Sequence, residues 1–411
     1  MRKLLFLLIT CFVASLTACT KSKNDSIQAT ESEKVAAMPQ YRANREAPKP
    51  LAKIENPRFE LNNGVYVNSK SVATNEATIM LTGDLMSVSR QQKAALRLDS
   101  SYNFNGGLKL VKQIFNNADL VVGNLETQLS ESYTYTHEYP RSANGSPICN
   151  APATYLDALR YAGFDALATA NNHSCDAGAK GIIQTLGHLN DYRFMHTGTF
   201  EKNTDVRHLL VDVKGIKIGI LSYTQLKYNG RAKYLTTEQQ IQMLNTYSKE
   251  RLEKDLKNIR KAGAEFVIVY IHWGKQNSPV TTELQKATAK ELAEAGVDII
   301  IGSHPHVLQQ YDEIATSDGH KVPVFYSMGN FYSSMSSVDG NRNTIVIELN
   351  LKKELTKINI QDISYIPCRI LDKYEQDDFV VYPLSENAED KYIKQSIKET
   401  MGSLLQEKSC I

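Results

Sequence analysis

From Glu76 onward this 411-residue chain alternates short apolar runs with stretches of helical periodicity, and that alternation limits its fold more than any other feature. Ala77–Leu81, Leu120–Val122, Ala166–Thr169, Leu209–Val213, Ile216–Tyr223, Phe266–Ile271, Ile299–Ile301, Val322–Tyr326 and Thr344–Leu351 read as strands. Helical patterns lie between them at Gly107–Asn117, Thr154–Ala162, Gly178–Asn190, Thr246–Ala262 and Thr282–Ala295, with a last one near Glu389–Leu405. Strands alternating with helices specify an α/β architecture rich in parallel pairing, because a parallel neighbour is reached only through a crossover. The most charged helix, 246–262, gathers Leu252, Leu256 and Ile259 on one stripe and reads as a solvated helix with one buried face.

Polar clusters recur where the apolar runs end. Thr82-Gly83-Asp84, Gly123-Asn124-Leu125-Glu126, Asn171-Asn172-His173 with Asp176, His272-Trp273-Gly274, and Gly302-Ser303-His304-Pro305-His306 each follow a predicted strand. In an open α/β sheet the carboxyl ends of strands share one edge, so the five clusters can meet in one crevice. Carboxylates, amides and imidazoles without a required thiolate make an oxygen/nitrogen ligand set for one or two divalent metals. Taken singly, most have a bland reading: an Asp at a strand end caps a turn, and Asn-Asn-His can be a turn with one satisfied imidazole. His304-Pro305-His306 is the strongest single piece, since paired imidazoles around a proline have few structural uses.

In this order, and joined by Ser327-Met328-Gly329-Asn330-Phe331, the clusters resemble the CapA family of capsule-biosynthesis proteins, a branch of the calcineurin-like metallophosphoesterase superfamily, from about Thr78 to Glu348. The resemblance implies a four-layer αββα sandwich of that type. It implies one or two divalent ions, Mn, Fe, Zn, Mg or Ca, with Asp84 and His306 on the first, Glu126 in the bridging-carboxylate block, and Asn172, His272 and His304 on the second. His173 would serve as proton donor or transition-state stabiliser, and Asp176 would orient its ring. The family's named role implies poly-γ-glutamate capsule synthesis or export, with synthase subunits and the anionic polymer as partners. A metal-dependent phosphoesterase and a non-catalytic scaffold of the polymer complex stay open beside it.

The chain departs from that pattern at three places. Met86 stands where the superfamily's Asp-x-His places an imidazole, Glu126 replaces an aspartate, and Gln276 replaces the glutamate of His-Trp-Gly-x-Glu. A thioether is a poor ligand here, so the first metal is expected to bind more weakly. The polar, Tyr-rich stretch 127–150, with Tyr133, Tyr135, His137, Tyr139 and Arg141, reads either as a substrate loop or as a surface insertion. His188, His196, His208 and His320 belong to no cluster and read as structural or surface residues.

The N-terminus speaks to location. Basic Arg2-Lys3, an apolar stretch from Leu4 to Leu16, and Leu16-Thr17-Ala18-Cys19 read as a leader too short to span a bilayer, which takes roughly 20 apolar residues. Small residues before a cysteine resemble a lipobox, which implies a signal peptide over 1–18, a lipid on Cys19, and a lipoprotein of the bacterial cell envelope anchored to a membrane rather than spanning it. Residues 19–75 then read as a lipidated N-terminus and polar tether with a short strand near Gly64–Val67, 76–350, by the resemblance, as a CapA-like metallophosphatase domain, and 351–411 as a strand-and-helix extension. Removing 1–18 takes away Arg2 and Lys3 and leaves 45 basic against 45 acidic residues, so nothing supplies the diffuse positive field of a nucleic-acid binder. Cys149, Cys175, Cys368 and Cys410 would remain in an oxidising compartment, either as disulfides, with Cys149–Cys175 the favoured pair, or as buried thiols.

Overall fold

The computed structural model describes residues 57–139, 148–204, 206–229 and 232–408. The leader, Cys19, most of the tether, Arg141 and Cys410 lie outside the described residues. In chain order the strands are β1 (Glu60–Asn62), β2 (Val65–Val67), β3 (Glu76–Leu85), β4 (Leu120–Leu125), β5 (Ala166–Ala168), β6 (Met195–Thr197), β7 (Leu209–Val213) and β8 (Ile216–Thr224). They continue as β9 (Phe266–His272), β10 (Ile299–Ser303), β11 (Leu308–Ala315), β12 (Lys321–Met328), β13 (Asn330–Tyr332), β14 (Asn343–Glu354), β15 (Lys357–Tyr374), β16 (Asp377–Pro383) and β17 (Gln406–Glu407). The helices are α1 (Ser89–Ala95), α2 (Lys112–Phe115), α3 (Tyr155–Ala162), α4 (Gly178–Asp191), α5 (Thr237–Met243), α6 (Lys249–Lys261), α7 (Glu283–Glu294) and α8 (Ala388–Met401).

The strands form two sheets. One has eight strands in the order β1-β2-β7-β8-β9-β10-β12-β11; the other has nine, β16-β15-β14-β3-β4-β5-β6, with β13 added beside β3 and β17 beside β15. The β3-β4-β5-β6 and β8-β9-β10-β12 blocks are parallel throughout, as the alternation of elements requires. Side-chain alternation then assigns the layers. Ile79, Leu81, Leu120 and Val122 of the nine-stranded sheet pack against Ile218, Ile220, Ile268 and Ile301 of the eight-stranded one. On the opposite face, Met80, Val121 and Leu167 meet Leu156 and Leu159 of α3 and Ile182 and Leu186 of α4. The far face of the eight-stranded sheet, Val267, Val269 and Ile300, is covered by Leu252, Leu256 and Ile259 of α6 and by Ala289 and Leu292 of α7. This is an αββα sandwich, and strands buried on both faces explain why the sequence carries unbroken apolar runs rather than alternating ones. Each such side chain contributes about 1.5–3 kcal/mol by its burial, and Ile268→Ala should cost about 2–5 kcal/mol through the cavity it leaves.

Helix ends follow from capping. The expected helix 246–262 starts later, at Lys249, because Ser248 Oγ accepts the Arg251 N–H at 3.2 Å. The helix expected over 107–117 is broken into a 3-10 turn (Asn105–Leu108) and the short α2. The tandem glycines Gly106-Gly107 are weak helix formers, and a Cβ on Gly107 would collide with the Tyr332 ring. Residues 351–408 extend the nine-stranded sheet through β14, which crosses the expected boundary, β15 and β16. Among the described residues no helix is long and apolar enough to cross a membrane. Cys149, Cys175 and Cys368 are buried thiols, so the Cys149–Cys175 disulfide does not form; the Cys149 Sγ lies against His173 instead.

Candidate metal centre

The carboxyl ends of the two parallel blocks come together along one edge. Asp84 lies near the end of β3, Glu126 directly follows β4, and the Asn171–His173 turn follows β5. From the facing sheet, His272 ends β9 and His304 directly follows β10. Two glycines of the sequence clusters are there because backbone passes over them: a Cβ on Gly83 would strike the Gly329 carbonyl, and one on Gly302 would strike the Tyr326 carbonyl and the Trp273 indole. His304 and His306 both hold positive φ, +95° and +56°. Left-handed backbone at two non-glycine residues stores about 1–3 kcal/mol each, which the surrounding packing must sustain, and this strain turns both imidazoles inward around Pro305.

All eight residues singled out from the sequence lie within this buried region, and the ligand atoms fall into three groups, two that share Glu126 and a third made by Cys149, His173 and Asp176. Asp84, Glu126 and His306 bring one donor atom each within 4.8 Å of one another, and so do Glu126, His272 and His304. Asp84 accepts from Asn124 Nδ2 at 2.8 Å and from the His304 N–H at 3.3 Å, and its Oδ2 lies 3.2 Å from His306 Nδ1. His306 Nδ1 also faces Asn330 Oδ1 at 3.0 Å, which leaves Nε2 aimed at Glu126 Oε1, 3.7 Å away. His272 Nδ1 meets Ser303 Oγ at 2.8 Å, while its Nε2 lies 2.9 Å from Asn172 Oδ1 and 3.3 Å from Glu126 Oε1. In the third group, His173 Nδ1 contacts Asp176 Oδ2 at 2.6 Å, and its Nε2 is 4.0 Å from Glu126 Oε1 and 3.7 Å from the Cys149 Sγ.

The electrostatics identify what the arrangement lacks. Both Glu126 oxygens and His304 Nδ1 are buried with no hydrogen-bond partner among the described residues. Burial, reinforced by the Asp84 charge and only partly countered by His306 and His173, raises Glu126 to about 8. Burial also tends to raise Asp84, but the hydrogen bond and charge of His306, with help from His272 and Asn124, hold it at about 2. Burial lowers His272 to about 3 and His304 to about 2, so both rings are neutral and ready to donate a lone pair. For His306 and His173 burial is outweighed by neighbouring carboxylates, and both are raised above the ordinary imidazole value. Orphaned carboxylate oxygens, an orphaned imidazole nitrogen and neutral histidines around one point are the complement of a divalent cation, so the residues fit such an ion. Asp84, Glu126 and His306 would hold one ion; Glu126, Asn172, His272 and His304 would hold a second.

A cleft of about 610 Å³ opens onto Asn172, His173 and His306. Its walls carry Arg90 and Lys93 of α1, Ser334 and Ser336, and Thr136, His137 and Tyr139, and among the described residues no carboxylate lines it. Part of the 127–150 stretch therefore borders the site, and Tyr133, Tyr135 and Thr136 are buried, unlike a surface insertion. Met86 also lines the cleft, where it presents a thioether. His188 pairs with Glu131 at 2.6 Å, His196 with Asn190 at 3.1 Å, and His320 is exposed; with His208 they stand outside the cluster. Sequence reasoning missed the supporting polar residues Asn124, Ser303, Asn330 and Asn229. The first three sit inside the quoted motifs; Asn229 sits in none, and its only signal is its place just after β8.

Residues 78–335 match the family described as "Bacterial capsule synthesis protein PGA_cap". The chain is 30% identical over 259 residues to the "Capsule biosynthesis protein CapA" of Bacillus anthracis, an alignment spanning 62% of this chain and 59% of that protein. It is 27% identical over 267 residues to the "PGA biosynthesis protein CapA" of Bacillus subtilis, spanning 63% of this chain and 66% of the relative. In both cases the match covers less than two thirds of the relative's length. Among solved structures, the calcineurin-like phosphoesterase YfkN of Bacillus subtilis aligns with a TM-score of 0.40 at 14% identity, over 79% of this chain and 97% of that one.

Proposed function

This chain belongs to the bacterial capsule synthesis protein family PGA_cap, and from that premise we propose that it is a divalent-metal-dependent hydrolase acting in poly-γ-glutamate capsule synthesis or export at the bacterial cell envelope. The observation that carries the hydrolase reading is Glu126, a fully buried carboxylate shared by two ligand groups, with both oxygens unpartnered. Bound there, divalent ions would supply charge stabilisation and an activated water. The protein's own groups do the rest. Asp84 and Glu126 place negative charge between the imidazoles, and the hydrogen bonds of Asn124, Ser303 and Asn330 hold Asp84, His272 and His306 in position. Asp176 accepts from His173 Nδ1, which leaves Nε2 to deliver a proton to a leaving group. The carboxylate-free cleft, with Arg90 and Lys93 on its wall, suits an anionic substrate. A lipid on Cys19 would hold the domain at a membrane, and synthase subunits would be its partners there.

The testing experiment is metal content. Full-length protein purified in detergent without chelators, then analysed by elemental mass spectrometry, should carry about two ions per chain. The His304→Ala/His306→Ala double variant should lose them. A folded, metal-supplemented parent with no bound ion would sink the hydrolase reading and leave a scaffold of the polymer complex. One ion instead of two is the second outcome the structure favours, because Met86 leaves the Asp84 group with only Glu126 and His306 beside it.

A further inference from the structure

Asn172 can serve a metal only through its Oδ1, so its amide must be held with the oxygen inward and the nitrogen outward. A carboxamide has no intrinsic preference between the two orientations; its hydrogen-bond partners choose. His272 Nε2 does not choose, because an imidazole nitrogen donates in one tautomer and accepts in the other. The choice comes from Asn229, in the loop after β8. Its Oδ1 accepts from Asn172 Nδ2 at 3.2 Å, and its backbone N–H donates to the Asn172 carbonyl at 3.1 Å. Asn172 is thus gripped at main chain and side chain by one residue.

The same side chain touches the neighbouring imidazole. Asn229 Nδ2 lies 3.0 Å from His173 Nδ1 and 3.1 Å from Nε2. The contact is almost equidistant from the two ring nitrogens, of which Nδ1 also meets Asp176 while Nε2 faces Glu126 and Cys149. Asn229 therefore touches both histidine-loop residues, Asn172 and His173.

We propose that Asn229 is a positioning residue for the metal centre: its acceptor oxygen sets the orientation of the Asn172 amide, and its backbone N–H holds the Asn172 carbonyl. The proposal rests on the metal-binding reading above and deepens it. Hydrogen bonds of this kind to metal ligands typically change affinity about 10–100-fold. Full-length protein is stripped with chelator and titrated with Zn²⁺ and with Mn²⁺ against a chromophoric competitor, for the parent, Asn229→Ala and Asn229→Asp; thermal melts of the metal-free proteins check folding. Asn229→Ala should weaken one of the two binding steps about 10-fold or more and leave the other within about threefold. Asn229→Asp, which keeps the acceptor oxygen, should restore that step to within a few-fold of the parent. Parent-like binding by Asn229→Ala overturns the proposal, and so does equal weakening in both variants. Should Asn229→Ala not fold, Asn229→Asp decides alone: parent-like affinity supports the role, and loss of one step overturns it. A parent that binds no metal sinks the hydrolase reading itself, which is a different result from a parent with two ions and an indifferent variant.

Discussion

Replacing Glu126 by Gln should make the metal-free protein more stable while removing its capacity for both ions. The carboxyl is fully buried, has no hydrogen-bond partner, and titrates near 8 instead of the ordinary 4.5. An acid whose folded pKa is raised favours the fold below its unfolded pKa, and that advantage is lost as pH rises to the folded value. For Glu126 the window runs from about 4.5 to about 8. Within it the parent loses about 1.4 kcal/mol per pH unit relative to a neutral side chain, or roughly 3 kcal/mol by pH 7. His306 and His173 draw part of their raised pKa from the same carboxylate, so removing it also removes some favourable pairing, and the net gain is expected at about 1–3 kcal/mol. The Gln amide is uncharged like the protonated carboxyl, so the substitution adds no charge to the buried site. The assay is urea denaturation of chelator-treated parent and Glu126→Gln at pH 5 and pH 7, with metal content measured in parallel. The variants should nearly coincide at pH 5 and diverge at pH 7, with Gln the more stable and binding neither ion. A Gln variant that is equally or less stable at pH 7, or that still binds two ions, would falsify the reasoning. The fold would then be carrying Glu126 for some purpose other than a shared cation.

Metal affinity should itself depend on pH. Glu126 holds a proton below about pH 8 that an ion must displace, and His306 is raised by its carboxylate neighbours, whereas His272 and His304 have no proton to lose, so the apparent association constant should rise at least about tenfold per pH unit from pH 6 toward 8; competition titrations giving a flat profile would contradict this. Asp176→Asn removes the main group that opposes burial at His173, so the imidazole pKa, followed by NMR, should fall below the ordinary value; an unchanged pKa would mean that Asp176 does not set it. Gly302→Ala forces a Cβ against the Tyr326 carbonyl and the Trp273 indole and should destabilise the protein by about 3 kcal/mol or more, read from the thermal midpoint; a parent-like melt would show that β10 and β12 can separate there at little cost. Arg90→Ala with Lys93→Ala should weaken binding of inorganic phosphate to the metal-loaded protein several-fold without changing its metal content, measured by calorimetry.

Much of the fold was legible because strands buried on both faces leave continuous apolar runs, as at Phe266–His272 and Ile299–Ser303. The break in the expected 107–117 helix shows in the sequence only as Gly106-Gly107; that a Tyr332 ring fills the space beside Gly107 is decided far along the chain. The same division runs through the site. Asp84, Glu126, Asn172, His173, His272, His304 and His306 were nameable because each ends or follows a strand, and strand polarity brings such ends to one edge whatever the details of packing. Which of their donor atoms lie close together, that Glu126 belongs to two groups, that Cys149 faces an imidazole instead of Cys175, and that Asn229 grips Asn172 are facts of tertiary distance. Periodicity and motif order are local properties, carried by neighbours in the chain. Burial, orphaned atoms and perturbed protonation arise only when two sheets close on one another and exclude water, and those are what give this cluster its chemistry.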